Sequence, residues 1–317
     1  MHSQTTLFSR QPLSTPAFAA ALAKSGVQTL PCKSSVSGIP DSFWAKYETG
    51  TVVRVPTFSL VQPQERELSH VLRESRSLIA SYVLEPDASH PANAWLYLCA
   101  DQEYELQKLK PAMRRDTRKG LRELRIAPLS TDQLLAHGCP AFCDARRRAG
   151  LSDGTAKEFV RHFNLRTQCK GHVFLGAWKD DNLAAFLSIV EVADWAEIVG
   201  CYSRDDFLSA QPNSVLIYTA LSQCLAEAKR SHVSYGLSSI QTVSKKAGLH
   251  AFKTKVGFVA KPVHRAFMLH PVIRPLMNRL TLAGMHTLLR MQPGNRLLKK
   301  AHGLCSLLVD EKKRGKY

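Results

Sequence analysis

Three apolar runs follow one another in the middle of the chain: His172–Trp178, Leu183–Glu191 and Trp195–Tyr202. Only Lys179-Asp180-Asp181-Asn182 and the short Val192–Asp194 segment separate them. Connections this short join antiparallel strands and leave no room for a crossover helix, so the spacing predicts an antiparallel meander. A loop carrying Asp205, Asp206, Gln211 and Pro212 then leads into a helix over about Ser214–Arg230, with Ser214 or Asn213 placed to cap it. A strand at His232–Gly236, a Ser-rich loop, a short helix at about Leu249–Lys255 and a strand pair across Phe258–Leu269 complete this half. Strands in a meander followed by a helix and a further strand place the chain in the α+β (α/β) class, as a mixed sheet flanked by helices.

The patterning upstream is sparser. Residues 1–48 are rich in Ser, Thr, Pro and Gln, with one apolar patch from Ala17 to Ala23, and read as a loosely ordered N-terminal segment. Thr51–Leu60, Ser77–Leu84 and Ala94–Cys99 are short, rich in β-branched or aromatic residues and bounded by Pro, Asp or Asn, which predicts strands. Lys108–Leu124 reads as a helix with Pro111 in its first turn. Met113, Thr117, Leu121 and Leu124 fall on one face of it, and Arg114, Arg118, Arg122 and Arg125 on another. Two more helices are expected near Thr131–Ala149 and Thr155–Thr167. From His270 to Tyr317 the pattern is that of basic amphipathic helices, either packed on the domain or, with Leu280–Leu289 as an apolar face, lying on an anionic membrane.

Composition narrows the partners rather than the fold. The chain has 317 residues, with 43 Lys and Arg against 26 acids and a formal charge of +17, which favours polyanions such as nucleic acid, anionic lipid or phosphate-bearing substrates. Its eight cysteines lie partly inside apolar runs, and no leader pattern opens the sequence, so reduced thiols and a cytoplasmic location are expected. No apolar run reaches the ~18–20 residues that span a bilayer, which leaves peripheral membrane contact as the alternative to a cytoplasmic protein.

Two stretches carry a family resemblance. The first is Leu109-Lys110-Pro111-Ala112-Met113-Arg114-Arg115-Asp116-Thr117-Arg118-Lys119-Gly120-Leu121-Arg122, a basic helix followed by Arg148-Ala149-Gly150-Leu151. The second joins Gln211-Pro212-Asn213-Ser214-Val215-Leu216-Ile217-Tyr218, Tyr235-Gly236-Leu237-Ser238-Ser239 and Gly248-Leu249-His250-Ala251-Phe252-Lys253-Thr254-Lys255-Val256-Gly257-Phe258. In order and spacing, over about residues 50–270, these resemble the Fem-like branch of the GNAT acyltransferases. The meander, helix and strand match the order at the centre of the GNAT fold. The resemblance implies a reduced N-terminal GNAT-like lobe at 49–130, an acyltransferase lobe at 131–269 and a helical tail at 270–317, a shortened tandem arrangement. It also implies transfer of an acyl or aminoacyl group to a small-molecule amine acceptor: an amino sugar, an amino-acid derivative or a cell-envelope precursor. The donor would be acyl-CoA or aminoacyl-tRNA, with no metal. No glycine-rich phosphate loop precedes the helix at Ser214.

Acyl transfer to an amine needs a neutral amine, a stabilised oxyanion and a protonated leaving group. Through the resemblance, Lys253 is the principal catalytic candidate, with Phe252 beside the donor. Asn213 and Ser214, at a helix N-terminus, and Ser238 are candidate donor-binding residues. Tyr218 and Tyr202 are candidate proton donors, while Glu197 and Glu191 are candidate bases. Strict alternation puts Glu197 on one face with Val199 and Cys201. The stripe of Arg114, Arg118 and Arg122 suits substrate or tRNA phosphates. Plain structural roles compete throughout: a helix cap, a surface lysine, packed tyrosines, exposed carboxylates, a solvated basic face. The spacing of His137, Cys139, Cys143, His162, Cys169 and His172 fits no common zinc module, and no nucleophile elbow marks a hydrolase. Two other functions fit the charge and the order: a non-enzymatic nucleic-acid-binding protein and an inactive GNAT scaffold.

Overall fold

The computed structural model describes residues 8–9, 11–32, 41–48, 50–151, 154–238 and 246–313. Helix α1 (Thr15–Lys24) leads into strands β1 (Gln28–Pro31), β2 (Phe43–Glu48) and β3 (Thr51–Val55). Helix α2 (Glu65–Glu74), strands β4 (Ile79–Leu84) and β5 (Ala94–Cys99), helix α3 (Pro111–Glu123) and strand β6 (Arg125–Pro128) follow. Helices α4 (Thr131–His137), α5 (Cys139–Arg148) and α6 (Ala156–Gln168) precede the meander β7 (His172–Lys179), β8 (Asn182–Val192) and β9 (Trp195–Ser203). Next come helix α7 (Pro212–Leu221), strand β10 (His232–Leu237), helix α8 (Lys246–Lys255) and strand β11 (Val259–Leu269). Helices α9 (Arg279–Met291) and α10 (Arg296–Lys313) end the described chain.

These elements form two compact units that interleave along the sequence. The first comprises Met1–Phe18, Tyr97–Gly236 and Leu249–Ala260; the second comprises Ala19–Leu96, Leu237–Gly248 and Lys261–Tyr317. The divisions expected at 48, 130 and 269 are contiguous segments, whereas each unit here gathers three. The expectation of a loose segment over 1–48 is corrected by α1, β1 and β2. The patch at Ala17–Ala23 lies in α1, where Phe18 and Leu22 are fully buried.

In the first unit the strands run β10-β9-β8-β7-β6, antiparallel except for the parallel β9–β10 pair. Alternation sends Leu175, Leu187 and Ile189 into one core with Val215, Leu216 and Ile217 of α7. Phe174, Trp178 and Phe186 enter the opposite core, where Phe142, Phe159 and Phe163 of α5 and α6 pack ring against ring. A capping box starts α6: Thr155 Oγ1 accepts from the Glu158 N–H, and Glu158 answers through its carboxylate. The expected helix over Thr131–Ala149 is two helices, broken at Gly138, where a Cβ would meet the Leu134 carbonyl at 2.7 Å and Phe159 at 2.8 Å.

The second unit runs β1-β2-β3-β4-β11, antiparallel except for β3–β4, whose crossover is α2. Trp44 anchors it, fully buried and donating from Nε1 to Glu67 of α2 at 2.9 Å. Helix α10 packs through Leu304, Cys305, Leu308 and Val309 against Phe267. The strand pair expected across Phe258–Leu269 is the single strand β11; Pro262 precedes the His264–Leu269 stretch that pairs with β4, so its missing N–H costs that ladder nothing. Among the described residues, no helix is long and apolar enough to cross a membrane.

Helix α3 corrects one periodicity reading. Its buried stripe is Met113, Thr117, Gly120 and Leu124, while Leu121 is exposed. Gly120 is what lets α3 approach α7: a Cβ there would meet Val215 Cβ at 2.9 Å and the Ala210 carbonyl at 3.2 Å. Alanine in a helix gains about 1 kcal/mol over glycine, but overpacking costs about 1–3 kcal/mol. Gly120→Ala is therefore expected to lose up to about 2 kcal/mol of stability in urea unfolding. Gly284→Ala in α9, which meets nothing within 4 Å, should gain about 1 kcal/mol in the same assay.

Candidate active site

The parallel pairing of β9 with β10 covers three positions: His232 with Trp195, Val233 with Ala196 and Ser234 with Glu197. Beyond it, β9 continues for six residues and β10 for three without pairing to each other. Gly236 sits at this divergence with φ +62°, a left-handed conformation that glycine adopts without a Cβ penalty. Just past the last pair, β9 also carries a bulge: Ser188 of β8 faces Gly200 and Ile189 faces Ile198, so Val199 has no partner across the ladder.

The bulge overturns one expectation. Glu197 faces Val190 and Cys201 faces Leu187, three apart on β8, so Glu197 and Cys201 lie on opposite faces of the sheet. Cys201 turns instead toward α7, where its thiol donates to Asn213 Oδ1 at 3.2 Å. Burial, opposed by the Arg148 charge, pushes that thiol up to about 12, so it is a fixed donor rather than a nucleophile. This contact sets the N-terminus of α7 beside the unpaired end of β9.

Neither Asn213 nor Ser214 caps α7, contrary to the sequence expectation. The N-cap is Gln211, held at φ +57° and ψ 43° and making no side-chain capping bond, with Pro212 at the first helical position. Proline supplies the fixed φ that starts the helix, so no side-chain cap is required. Asn213 is half-buried and engaged with Cys201, and Ser214 is buried.

Lys253 is not a surface lysine. It is 4% exposed, and its ammonium donates to the Tyr235 carbonyl at 2.8 Å. The rings of Tyr97 and Tyr235 each lie 4.2 Å from Nζ, which places the charge between two aromatic faces. Helix α8 is held there from its C-terminal end: the Tyr104 hydroxyl donates to the Val256 carbonyl at 2.6 Å, and a Cβ on Gly257 would meet the Tyr104 ring at 2.7 Å. Beside the lysine, the Tyr97 hydroxyl and His250 Nδ1 share a hydrogen bond of 3.0 Å. Burial lowers the Lys253 pKa from 10.5 to about 8, against the opposing attraction of Glu197. Desolvation therefore outweighs the carboxylate and leaves an amine that changes charge near neutrality. Phe252 packs half-buried against the core of the unit.

The other predicted residues disperse. Tyr218 packs at a tilt against Tyr104, with ring centres 5.8 Å apart, and burial raises its pKa. Tyr202 stacks on Phe186 in the aromatic core. Glu191 is buried against Arg230 at 2.7 Å and accepts from the Ser9 N–H, which removes it as a free base. Ser238 belongs to the second unit, where it exchanges hydrogen bonds with the backbone of Trp95 through its own N–H and Oγ. Its polar groups are thus used in strand pairing. Arg118 and Arg122 are exposed on α3, while Arg114 is half-buried and donates to the Leu109 carbonyl. Part of the Ser-rich loop, residues 239–245, lies outside the described residues. Sequence reasoning missed Tyr97 and gave no role to Tyr235 or His250, although both lie in the motif stretches; no periodicity marks them, because only the fold brings β5, β10 and α8 together. Among the described residues, no group of three or more His, Cys, Asp or Glu could hold a metal ion.

The Lys253 shift has a stability consequence with a definite sign. Because its folded pKa lies below its unfolded value, the unfolded chain binds the extra proton between pH 8 and 10.5. Stability from this group is full above 10.5 and is lost as pH falls through 8. Urea unfolding from about pH 7.5 to about pH 10 should show a gain of up to about 3 kcal/mol in the native chain that Lys253→Met abolishes.

No family model matches the chain, and no curated protein matches it. Solved structures do. The C-terminal (DUF2156) domain of a candidate lysylphosphatidylglycerol synthetase from Agrobacterium fabrum is 15% identical over 90% of this chain and 95% of that one, with a TM-score of 0.50. FemX is 8% identical over 82% of this chain and 92% of that one, with a TM-score of 0.54. At such identities the likeness is one of fold. That likeness and the strand order of the first unit agree with the motif reading: the chain has a mixed-sheet α+β fold of the Fem-like GNAT kind.

Proposed function

We propose that the protein is an N-acyltransferase of the GNAT type that moves an acyl or aminoacyl group to an amine acceptor at the divergence of β9 and β10. The observation that carries this reading is the buried Lys253 amine, anchored on the Tyr235 carbonyl beside that divergence. The three demands of acyl transfer each have a candidate within the first unit.

For the oxyanion, the unpaired backbone at Val199 and the uncapped first turn of α7 offer N–H groups and a positive helix end. For the leaving group, Lys253 titrates near 8, a value matched to proton transfer at neutral pH, and Tyr97, hydrogen-bonded to His250, is a second donor beside it. For the incoming amine, Glu197 is the carboxylate close enough to feel the Lys253 charge and serves as the base. In one turnover the acceptor amine attacks the acyl carbon and gives up a proton. The tetrahedral intermediate then collapses, and the departing thiolate or ribose alkoxide takes a proton from Lys253 or Tyr97.

Acyl-CoA and aminoacyl-tRNA are both compatible donors. The exposed Arg118 and Arg122 and the net charge of +17 favour the tRNA, since they add phosphate contacts that a single CoA does not need. The same charges would serve a non-catalytic nucleic-acid-binding protein, which has no use for a buried lysine of lowered pKa.

The test is group transfer from acetyl-CoA and from aminoacyl-tRNA to a panel of amines. Lys253→Met keeps the side-chain volume and should cut kcat/KM at least about 100-fold with the fold intact. Glu197→Gln removes both the base and the attraction that supports the ammonium, so transfer should fall and the limb of the residual pH–rate profile near 8 should move to lower pH. Undiminished transfer by Lys253→Met would remove the lysine from the chemistry. Binding of RNA with no transfer from either donor would favour the binding protein.

A further inference from the structure

Between Glu227 and Asp310 the sequence contains no Asp or Glu, while it carries 14 Lys and Arg. Helix α9 lies inside this stretch and has no buried residue. Its Leu282 and Met285 touch the core of the second unit, and half-buried Leu289 lies on the same side of the helix. The other side is apolar and open: Leu280 is 85% exposed, Leu288 50% and Met291 75%. At ~100° per residue these three fall on one stripe with Gly284, and Arg279 and Arg290 fall together along its edge. Before the helix, Val272 and Leu276 are exposed as well, and after it so is Leu297.

We propose that α9 is a docking helix for an anionic lipid bilayer, with Leu280, Leu288 and Met291 entering the headgroup boundary and Arg279 and Arg290 pairing with lipid phosphates. Charge complementarity selects this occupant. A second copy of the chain would set arginine against arginine on a stretch that offers no acid. Nucleic acid would satisfy the arginines but leave the leucine stripe in water, whereas a bilayer surface satisfies both. A second feature of the same unit points to the same chemistry. A cavity of about 570 Å³ is lined by Phe267, Met277 and Leu308, with Arg73, Arg274 and, as the one acid among the described residues that line it, Glu65. Its lining includes the segment that leads into α9, and it combines an apolar interior with a cationic edge, as an acyl chain with an anionic head requires. The inference is independent of the acyl-transfer reading.

The experiment uses the full chain and vesicles of phosphatidylcholine, with and without phosphatidylglycerol. Co-sedimentation should show binding that requires phosphatidylglycerol and weakens with salt. Leu280→Asn with Met291→Asn should weaken it at least about tenfold, as should Arg279→Gln with Arg290→Gln. All four side chains are surface groups of α9, so the melting temperature should stay at the native value. In Leu280→Trp, indole emission should shift to the blue with anionic vesicles and stay unchanged with heparin. Equal binding to neutral vesicles would overturn the proposal. So would anionic binding that the asparagine pair leaves intact, or a vesicle-free dimer that this pair dissociates.

Discussion

Parallel pairing between β9 and β10 stops after Ser234 meets Glu197, and the arrangement of the first unit follows from that stop. An antiparallel sheet could continue its ladder through a tight turn, but a parallel pair must be closed by a crossover, here α7. The crossover is packed tightly from both sides: Gly120 of α3 admits Val215, and Leu187 and Ile189 of β8 fill the space beneath it. Once α7 is fixed, the Cys201–Asn213 hydrogen bond fixes where its N-terminus lies. The bulge at Val199 makes that bond available by turning Cys201 to the α7 face. Strand divergence, unpaired backbone and helix N-terminus are therefore consequences of one packing solution.

Lys253 is the costly member of this arrangement. Lowering a lysine from 10.5 to about 8 corresponds to about 3 kcal/mol of disfavoured charge, a substantial fraction of a typical domain's net stability. Two aromatic faces, one carbonyl and the field of Glu197 offset only part of the desolvation. A methionine of similar volume would avoid that cost, so an ionisable group kept here against stability fits a role in chemistry. The tail of the second unit shows the same reasoning at the surface. Leucines left in water on α9 carry a cost in the isolated chain that a bilayer would remove.

Much of the frame was legible in the sequence because it rests on short-range pattern. The meander and β5 at Ala94–Cys99 follow from connector length and local composition, and α6 lies within the Thr155–Thr167 stretch expected to be helical. Other features depend on contacts between distant segments. Leu121 continues a helical stripe on paper, but Gly120 takes the buried position because α7 arrives there. Alternation put Glu197 and Cys201 on one face, and a one-residue bulge separated them. Asn213 and Ser214 have capping chemistry, yet Pro212 after a left-handed Gln211 starts the helix without them. Lys253 was singled out through a family resemblance. His250 shares α8 with it, three residues earlier, but the lysine's ring partners Tyr97 and Tyr235 come from β5 and β10, and only the fold brings those strands to the helix.

The proposed chemistry stands on Lys253, a buried amine whose pKa lies near 8 beside the divergence of β9 and β10. Its most direct test is an NMR titration of the Lys253 side chain, assigned through Lys253→Met, alone and with acetyl-CoA or aminoacyl-tRNA. A midpoint near 8 that moves when one of the donors binds is expected. A midpoint at the ordinary lysine value of 10.5, indifferent to both donors, would contradict it.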